Sequence, residues 1–169
     1  MVESIQDVSM EESTSAGAIV CINGEIPRII LLIQNNEFYK RILNKEVLDI
    51  GPKGRIQEGS GLFDNAKREV LEELGLSVNL QKDFRAIKNY EFEETTTDGE
   101  KRHIKKSVMY FLALISDEDA KKIKLSKEHA KYEILSIEDA IKRVKFDSDK
   151  EILLKCMDYL KRMEKAKPS

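Results

Sequence analysis

Three glutamates crowd the run Arg68-Glu69-Val70-Leu71-Glu72-Glu73-Leu74-Gly75-Leu76, and no other feature restricts the fold of this chain as much. At helical spacing Ala66, Val70 and Leu74 form one apolar face, while Glu69 stands beside Glu72 and Glu73 at i+3 and i+4. A helix is therefore expected from just after Gly61 to about Leu74. Gly75 is placed to end it as a C-terminal cap, and Gly51-Pro-Lys-Gly54 must form a loop before it. Carboxylates at that spacing repel one another by roughly a few tenths of a kcal/mol per pair, and by more where solvent is restricted, unless positive charge lies between them. Magnesium meets that need, since it prefers carboxylate oxygens, keeps several waters and completes its shell with substrate phosphates. A lone Glu-x-x-Glu-Glu more often just faces water, so the surroundings of the helix have to decide.

Those surroundings alternate between strand and helix patterns. Ser15–Ile22 and Arg28–Ile33 are β-rich runs around the turn signal Asn23-Gly24, and read as a hairpin. A short strand near Val47–Ile50 leads into the glycine loop. Two longer strands, Phe84–Thr95 and Arg102–Ile115, flank Thr97-Asp98-Gly99, and a last one at Tyr132–Leu135 precedes two helices. Ser136-Ile-Glu-Asp139 resembles a capping box for the first helix and Ser148-Asp-Lys-Glu151 forms one for the second, whose Ile152, Leu153, Cys156 and Leu160 share a face. With 169 residues and no repeats, this implies one mixed α/β or α+β sandwich over residues 15–166, preceded by a loosely ordered stretch, 1–14.

Charge narrows the partners. Lys and Arg number 29 against 31 Asp and Glu, a net charge of −2, so no global field favours DNA or a membrane surface. The first residues are acidic and polar, and no apolar run approaches the ~18 residues that span a bilayer, so the chain is expected in the cytoplasm. Cys21 and Cys156 lack metal-type spacing and are expected to be reduced and semi-buried. His129 has no nucleophile partner in the sequence and reads as a structural or pocket hydrogen-bonder, with Glu128 as a candidate extra carboxylate.

The run from Gly54 to Leu76 resembles the signature of the Nudix hydrolases: a glycine, five residues, a glutamate, seven residues, then Arg-Glu-aliphatic-x-Glu-Glu-x-Gly-aliphatic. Gly54, Arg68, Glu69, Val70, Glu72, Glu73, Gly75 and Leu76 match it, while Ser60 stands where the pattern has its first glutamate. Three further segments resemble the asymmetric diadenosine tetraphosphate hydrolases within that family: Gly51-Pro-Lys-Gly-Arg-Ile56, Lys106-Ser-Val-Met-Tyr-Phe111 and Leu125-Ser-Lys-Glu-His-Ala-Lys-Tyr132. The resemblance implies an α/β fold, a Nudix-type α/β/α sandwich with a mixed sheet and a C-terminal helix. It implies Mg2+, with Mn2+ as a substitute, held by Glu69, Glu72, Glu73 and the backbone at Gly54, and catalysis through Glu69 and Arg68. Lys53 and Arg55 would meet phosphate, Lys106 would be a substrate lysine, and Tyr90, Tyr110 and Phe146 would line the nucleotide pocket. The plainer alternatives stay open for these: solvent-facing charge for Lys53 and Arg55, core packing for the aromatics. The substrate implied is a small nucleotide, diadenosine tetraphosphate before ADP-ribose, an RNA 5′ end or a damaged nucleoside triphosphate. The missing glutamate implies weakened metal binding and one partner fewer for Arg68, and leaves a nucleotide-binding module without turnover as the rival outside the enzymes.

Overall fold

The computed structural model describes residues 9–35 and 46–166. Seven strands form one mixed sheet: β1 (Ser9–Ile22), β2 (Arg28–Gln34), β3 (Leu48–Asp49), β4 (Lys53–Arg55), β5 (Ala86–Thr95), β6 (Lys101–Ile115) and β7 (His129–Ser136). Four helices accompany them among the described residues: α1 (Leu62–Leu74), α2 (Asp117–Ala120), α3 (Ile137–Arg143) and α4 (Asp147–Ala166). The main path runs β3-β2-β1-β6-β5, with β4 added to β1 and β7 added to β2. β1 and β6 pair in parallel along the whole of β1, and the other ladders are antiparallel.

Period-two alternation on β1 sends successive side chains into two separate cores. Ala16, Ala18, Val20 and Ile22 pack with Ile30, Leu32 and Phe111 against Ala66, Val70 and Leu74 of α1. Ile19 and Cys21 pack with Leu31, Val108 and Leu112 against α3 and α4, where Ile152, Leu153, Cys156 and Tyr159 are buried. The result is the expected three-layer sandwich, with the glutamate helix on one face and the C-terminal helix on the other. Both cysteines lie wholly inside the second core rather than half-buried, and burial pushes the Cys21 thiol up to about 12. No helix among the described residues is long and apolar enough to cross a membrane.

Both hairpins form where the turn signals stand: Cys21 pairs with Ile29 around Asn23-Gly24, and Thr95 pairs with Lys101 around a turn containing Gly99. Several boundaries differ from the sequence reading; β7, for one, starts at His129, three residues before Tyr132. β1 starts at Ser9, six residues before Ser15, because the polar run Ser9–Thr14 is held by ladder bonds to Arg102–Ser107 rather than by burial. Helix α4 starts at Asp147, so Ser148 is inside it and does not cap it; the Phe146 carbonyl accepts from the Asp149 and Lys150 N–H groups instead. Asp149 turns inward to an ion pair with Lys88 of β5, which fixes the start of the helix through packing. Residues 1–8, most of the stretch expected to be loose, lie outside the described residues.

Candidate active site

The glycine loop is pinned to β1. β4 pairs with β1 so that Lys53 faces Gly17, Gly54 faces Ala16 and Arg55 faces Ser15, and the Ala18 N–H donates to the Pro52 carbonyl at 3.0 Å. This lays the loop across the first half of α1. A Cβ on Gly54 would stand 2.1 Å from Oε1 of Glu69, so only a bare backbone lets the carboxylate lie against it. At the other end of α1, Gly75 caps the helix with φ 70°, its N–H donating to the Leu71 carbonyl.

Of the three expected carboxylates, the structure brings two together. Glu69 is 8% exposed and Glu73 4% exposed. They share a hydrogen bond, and burial, that bond and the Glu69 charge raise the Glu73 carboxyl to about 9; burial raises Glu69 as well. Glu72 points to solvent and pairs with Arg68 at 3.0 Å. Arg68 also lies 3.2 Å from Glu69 and donates to Oδ1 of Asn65 at 2.5 Å. Ser60 joins none of these contacts: its N–H goes to Gln57 and its hydroxyl to the Gly61 carbonyl.

Two buried residues, His129 and Asp49, complete the far side, and only His129 is singled out by the sequence. After β6 the chain is tied back to α1 by the Lys124 N–H to the Leu74 carbonyl, 2.8 Å, and the Ser126 N–H to the Glu73 carbonyl, 3.0 Å. That tether delivers His129 beside Glu73, with Nδ1 3.5 Å from Oε1. Its Nε2 meets Oδ2 of Asp49 at 3.1 Å, and Gln34 donates to the same oxygen at 3.0 Å. Burial opposes ionisation of Asp49, but these hydrogen bonds and the Lys53 charge outweigh it and hold its carboxyl low. His129 is thus a buried hydrogen-bonder, as its sequence context suggested. Asp49 carried no signal beyond its place at the end of a short strand. A cleft of 360 Å³ opens here, lined by Gln34, Asp49, Lys53, Glu73, Glu128 and His129. A larger apolar cavity, 450 Å³, lies by the β1–β2 turn under α4 and touches none of these residues.

The expected phosphate and base residues fall on the opposite face of β1, β6 and β5. Lys106 is close enough to Lys53 and Arg55 that, after burial, their charges lower its pKa. In the β5–β6 ladder Lys106 pairs with Tyr90, and its ammonium sits over the Phe92 ring at 5.4 Å. Tyr90 and Phe92 stack at 6.4 Å, and Lys88 lies over the rings of Tyr90 and Phe146 at 5.6 and 5.3 Å. Phe146 is 65% exposed, which favours a surface role for it over core packing. Tyr110 is 1% exposed, so it belongs to the core beneath this strip and offers a ligand no face of its own. Phe92 was missed, although a step of two from Tyr90 along a strand would have found it.

A divalent cation fits this donor set. Oε2 of Glu73 is buried without a hydrogen-bond partner, and Glu69 and Glu73 are two neighbouring carboxyls whose pKa values burial raises. The Gly54 carbonyl lies beside them, an acceptor for the Asn65 amide and, in the β1–β4 ladder, the partner of Ala16. Among the described residues no three His, Cys, Asp or Glu side chains form a ready-made metal cage. Such a site suits magnesium, which keeps waters and takes substrate oxygens, better than zinc, which wants four protein ligands.

The chain is 30% identical over 112 residues to the asymmetrical bis(5′-nucleosyl)-tetraphosphatase of Sus scrofa, a stretch covering 64% of this chain and 69% of that one. Its fold superposes on a C. elegans Ap4A hydrolase with a TM-score of 0.67 at 23% identity, covering 88% of this chain and 97% of that chain. The dihydroneopterin triphosphate pyrophosphohydrolase of E. coli superposes with a TM-score of 0.59 at 17% identity, over 83% and 91%. The NUDIX domain model matches residues 13–156, and to that family the chain belongs.

Proposed function

We propose that this Nudix hydrolase splits a phosphoanhydride bond of a nucleoside polyphosphate, with diadenosine tetraphosphate cut asymmetrically to AMP and ATP. The observation that carries the reading is the buried Glu69–Glu73 pair beneath the Gly54 backbone, with Lys53 lining the same cleft as Glu73 and Lys106 within reach of the Lys53 and Arg55 charges. Glu69, Glu73 and the Gly54 carbonyl would hold Mg2+, or Mn2+ in its place, with Glu72 reaching it through solvent. When bound, the cation supplies a polarised water and neutralises charge on the phosphate under attack. The protein's own part is positioning and charge compensation. Arg68, braced by Glu72, keeps Glu69 in place, and Glu69 is the acceptor for the water proton. Lys53, Arg55 and Lys106 bind phosphate oxygens of the polyphosphate chain. Tyr90, Phe92 and Phe146 stack a base at one end of that chain, with Tyr110 as the floor beneath them. Similarity to the Sus scrofa enzyme supports this substrate.

Incubation of the protein with diadenosine tetraphosphate and magnesium should yield AMP and ATP in equal amounts. ADP as the sole product, or turnover of ADP-ribose alone, would remove the substrate assignment and leave the phosphoanhydride chemistry standing.

Gly54→Ala tests the site independently of substrate. Its new methyl meets the mobile end of Glu69, which can swing aside at little cost to the fold but leaves its place against the loop. Hydrolysis should fall by about ten-fold or more, with a higher magnesium requirement and a melting temperature close to wild type. An unchanged rate would show that Glu69 does not work from that position.

A further inference from the structure

Asn65 is 0% exposed, and every hydrogen-bonding position of its amide is used. Nδ2 donates to the Gly54 carbonyl at 3.1 Å and to the Ala16 carbonyl at 3.5 Å. Oδ1 accepts from the Gln57 N–H at 3.3 Å and from Arg68 at 2.5 Å. One uncharged side chain therefore joins β1, the end of the glycine loop, the stretch after β4 and the arginine that leans on Glu69. Its amide is also needed as an amide: a carboxylate would turn both carbonyl contacts repulsive, and a hydroxyl could not span four groups. Arg68 consequently has three side-chain partners although Ser60 gives it none.

We propose that Asn65 is the positioning residue of the metal end of the site, aiming the Gly54 carbonyl with its Nδ2 while steering Arg68 against Glu69 with its Oδ1. It touches no reacting atom. It acts, together with the β1–β4 ladder that also holds Gly54, by fixing two groups whose directions decide whether a carbonyl and a carboxylate can share one cation, and the inference rests on the metal-dependent reading above. A purely structural asparagine would tie the loop to the helix with no consequence for a bound ion. The two roles part in a metal-binding measurement.

Binding of Mn2+ alone, followed by its electron paramagnetic resonance signal well below the melting temperature, is compared among wild type, Asn65→Ala, Val70→Ala and Glu73→Gln. Val70 lies fully buried on the same helix and faces the core, so its truncation reports loss of stability without contact with the site. Asn65→Ala should weaken Mn2+ binding by about 10- to 100-fold, the range for losing a group that orients a ligand. Val70→Ala should change it less than about two-fold while lowering the melting temperature at least as much. If Asn65→Ala binds Mn2+ as Val70→Ala does, the residue is structural and the proposal falls. If Asn65→Ala is too unstable to measure, Asn65→Asp decides: it preserves the acceptor for Arg68 and removes the donor to Gly54, and wild-type affinity there would likewise overturn the proposal. Wild-type protein that binds no Mn2+, or Glu73→Gln that binds it unchanged, overturns the metal reading itself; loss in Glu73→Gln with full binding in Asn65→Ala overturns the Asn65 assignment alone.

Discussion

Glu73→Gln should lower nucleotide hydrolysis by at least about 10³-fold, a loss of about 4 kcal/mol of transition-state stabilisation, and leave the fold intact. The carboxyl is buried beside Glu69 and has an oxygen without a hydrogen-bond partner, so nothing in the metal-free protein compensates a charge there. An amide retains the shape and the donor toward Glu69 but cannot supply an anionic ligand. The pH dependence gives a second measure with a definite sign. A carboxyl raised from 4.5 to about 9 on folding contributes stability below pH 4.5 that is lost as pH rises toward 9. The glutamine does not titrate. In chelator, therefore, the variant's melting temperature should gain on wild type steadily as pH is raised across that window. Hydrolysis within ten-fold of wild type would refute the ligand role, and a melting difference that ignores pH would refute the burial of the charge.

The parts of the fold that could be read from the sequence are those fixed by local periodicity. Ala66, Val70 and Leu74 against Glu69 and Glu73 gave the helix its buried face and its acidic edge, and Gly75 marked its end. Asn23-Gly24 and Thr97-Asp98-Gly99 marked the hairpins because only a few residue types tolerate such turns. What stayed hidden depends on register between distant strands. The β1–β6 ladder is parallel and its first half is polar, so Ser9–Thr14 carries no apolar alternation. Asn65 and Asp49 are ordinary polar letters until β4 and β7 are in place, when one meets the Gly54 carbonyl and the other His129. The same convergence divides the three glutamates. Glu72 is one step further round the helix than Glu69 and Glu73, which turns it to Arg68 and to water.

Breaking the Lys88–Asp149 pair should cause the largest loss of stability available from a single polar side chain. Asp149 is 2% exposed, and Lys88 meets it at 2.7 Å across the gap between β5 and the start of α4. Lys88→Ala leaves that buried carboxylate with no cation beside it, which costs about 3–5 kcal/mol. The α4 N-terminus offsets part of this through its dipole, roughly 1 kcal/mol at most for a charge in the first turn. A fall in melting temperature of about 10 °C is then expected, at about 2–4 °C per kcal/mol for a chain this size. The double variant Lys88→Met with Asp149→Leu removes both charges and should recover most of the loss, because an apolar pair of similar volume avoids desolvation altogether. Its function should not recover equally. Lys88 lies over Tyr90 and Phe146, and Asp149 anchors the turn from which Phe146 projects, so the restored protein should show a raised KM for the dinucleotide with little change in kcat. Lys88→Ala within about 1 kcal/mol of wild type would mean that water reaches Asp149 and that α4 is anchored by its apolar face alone.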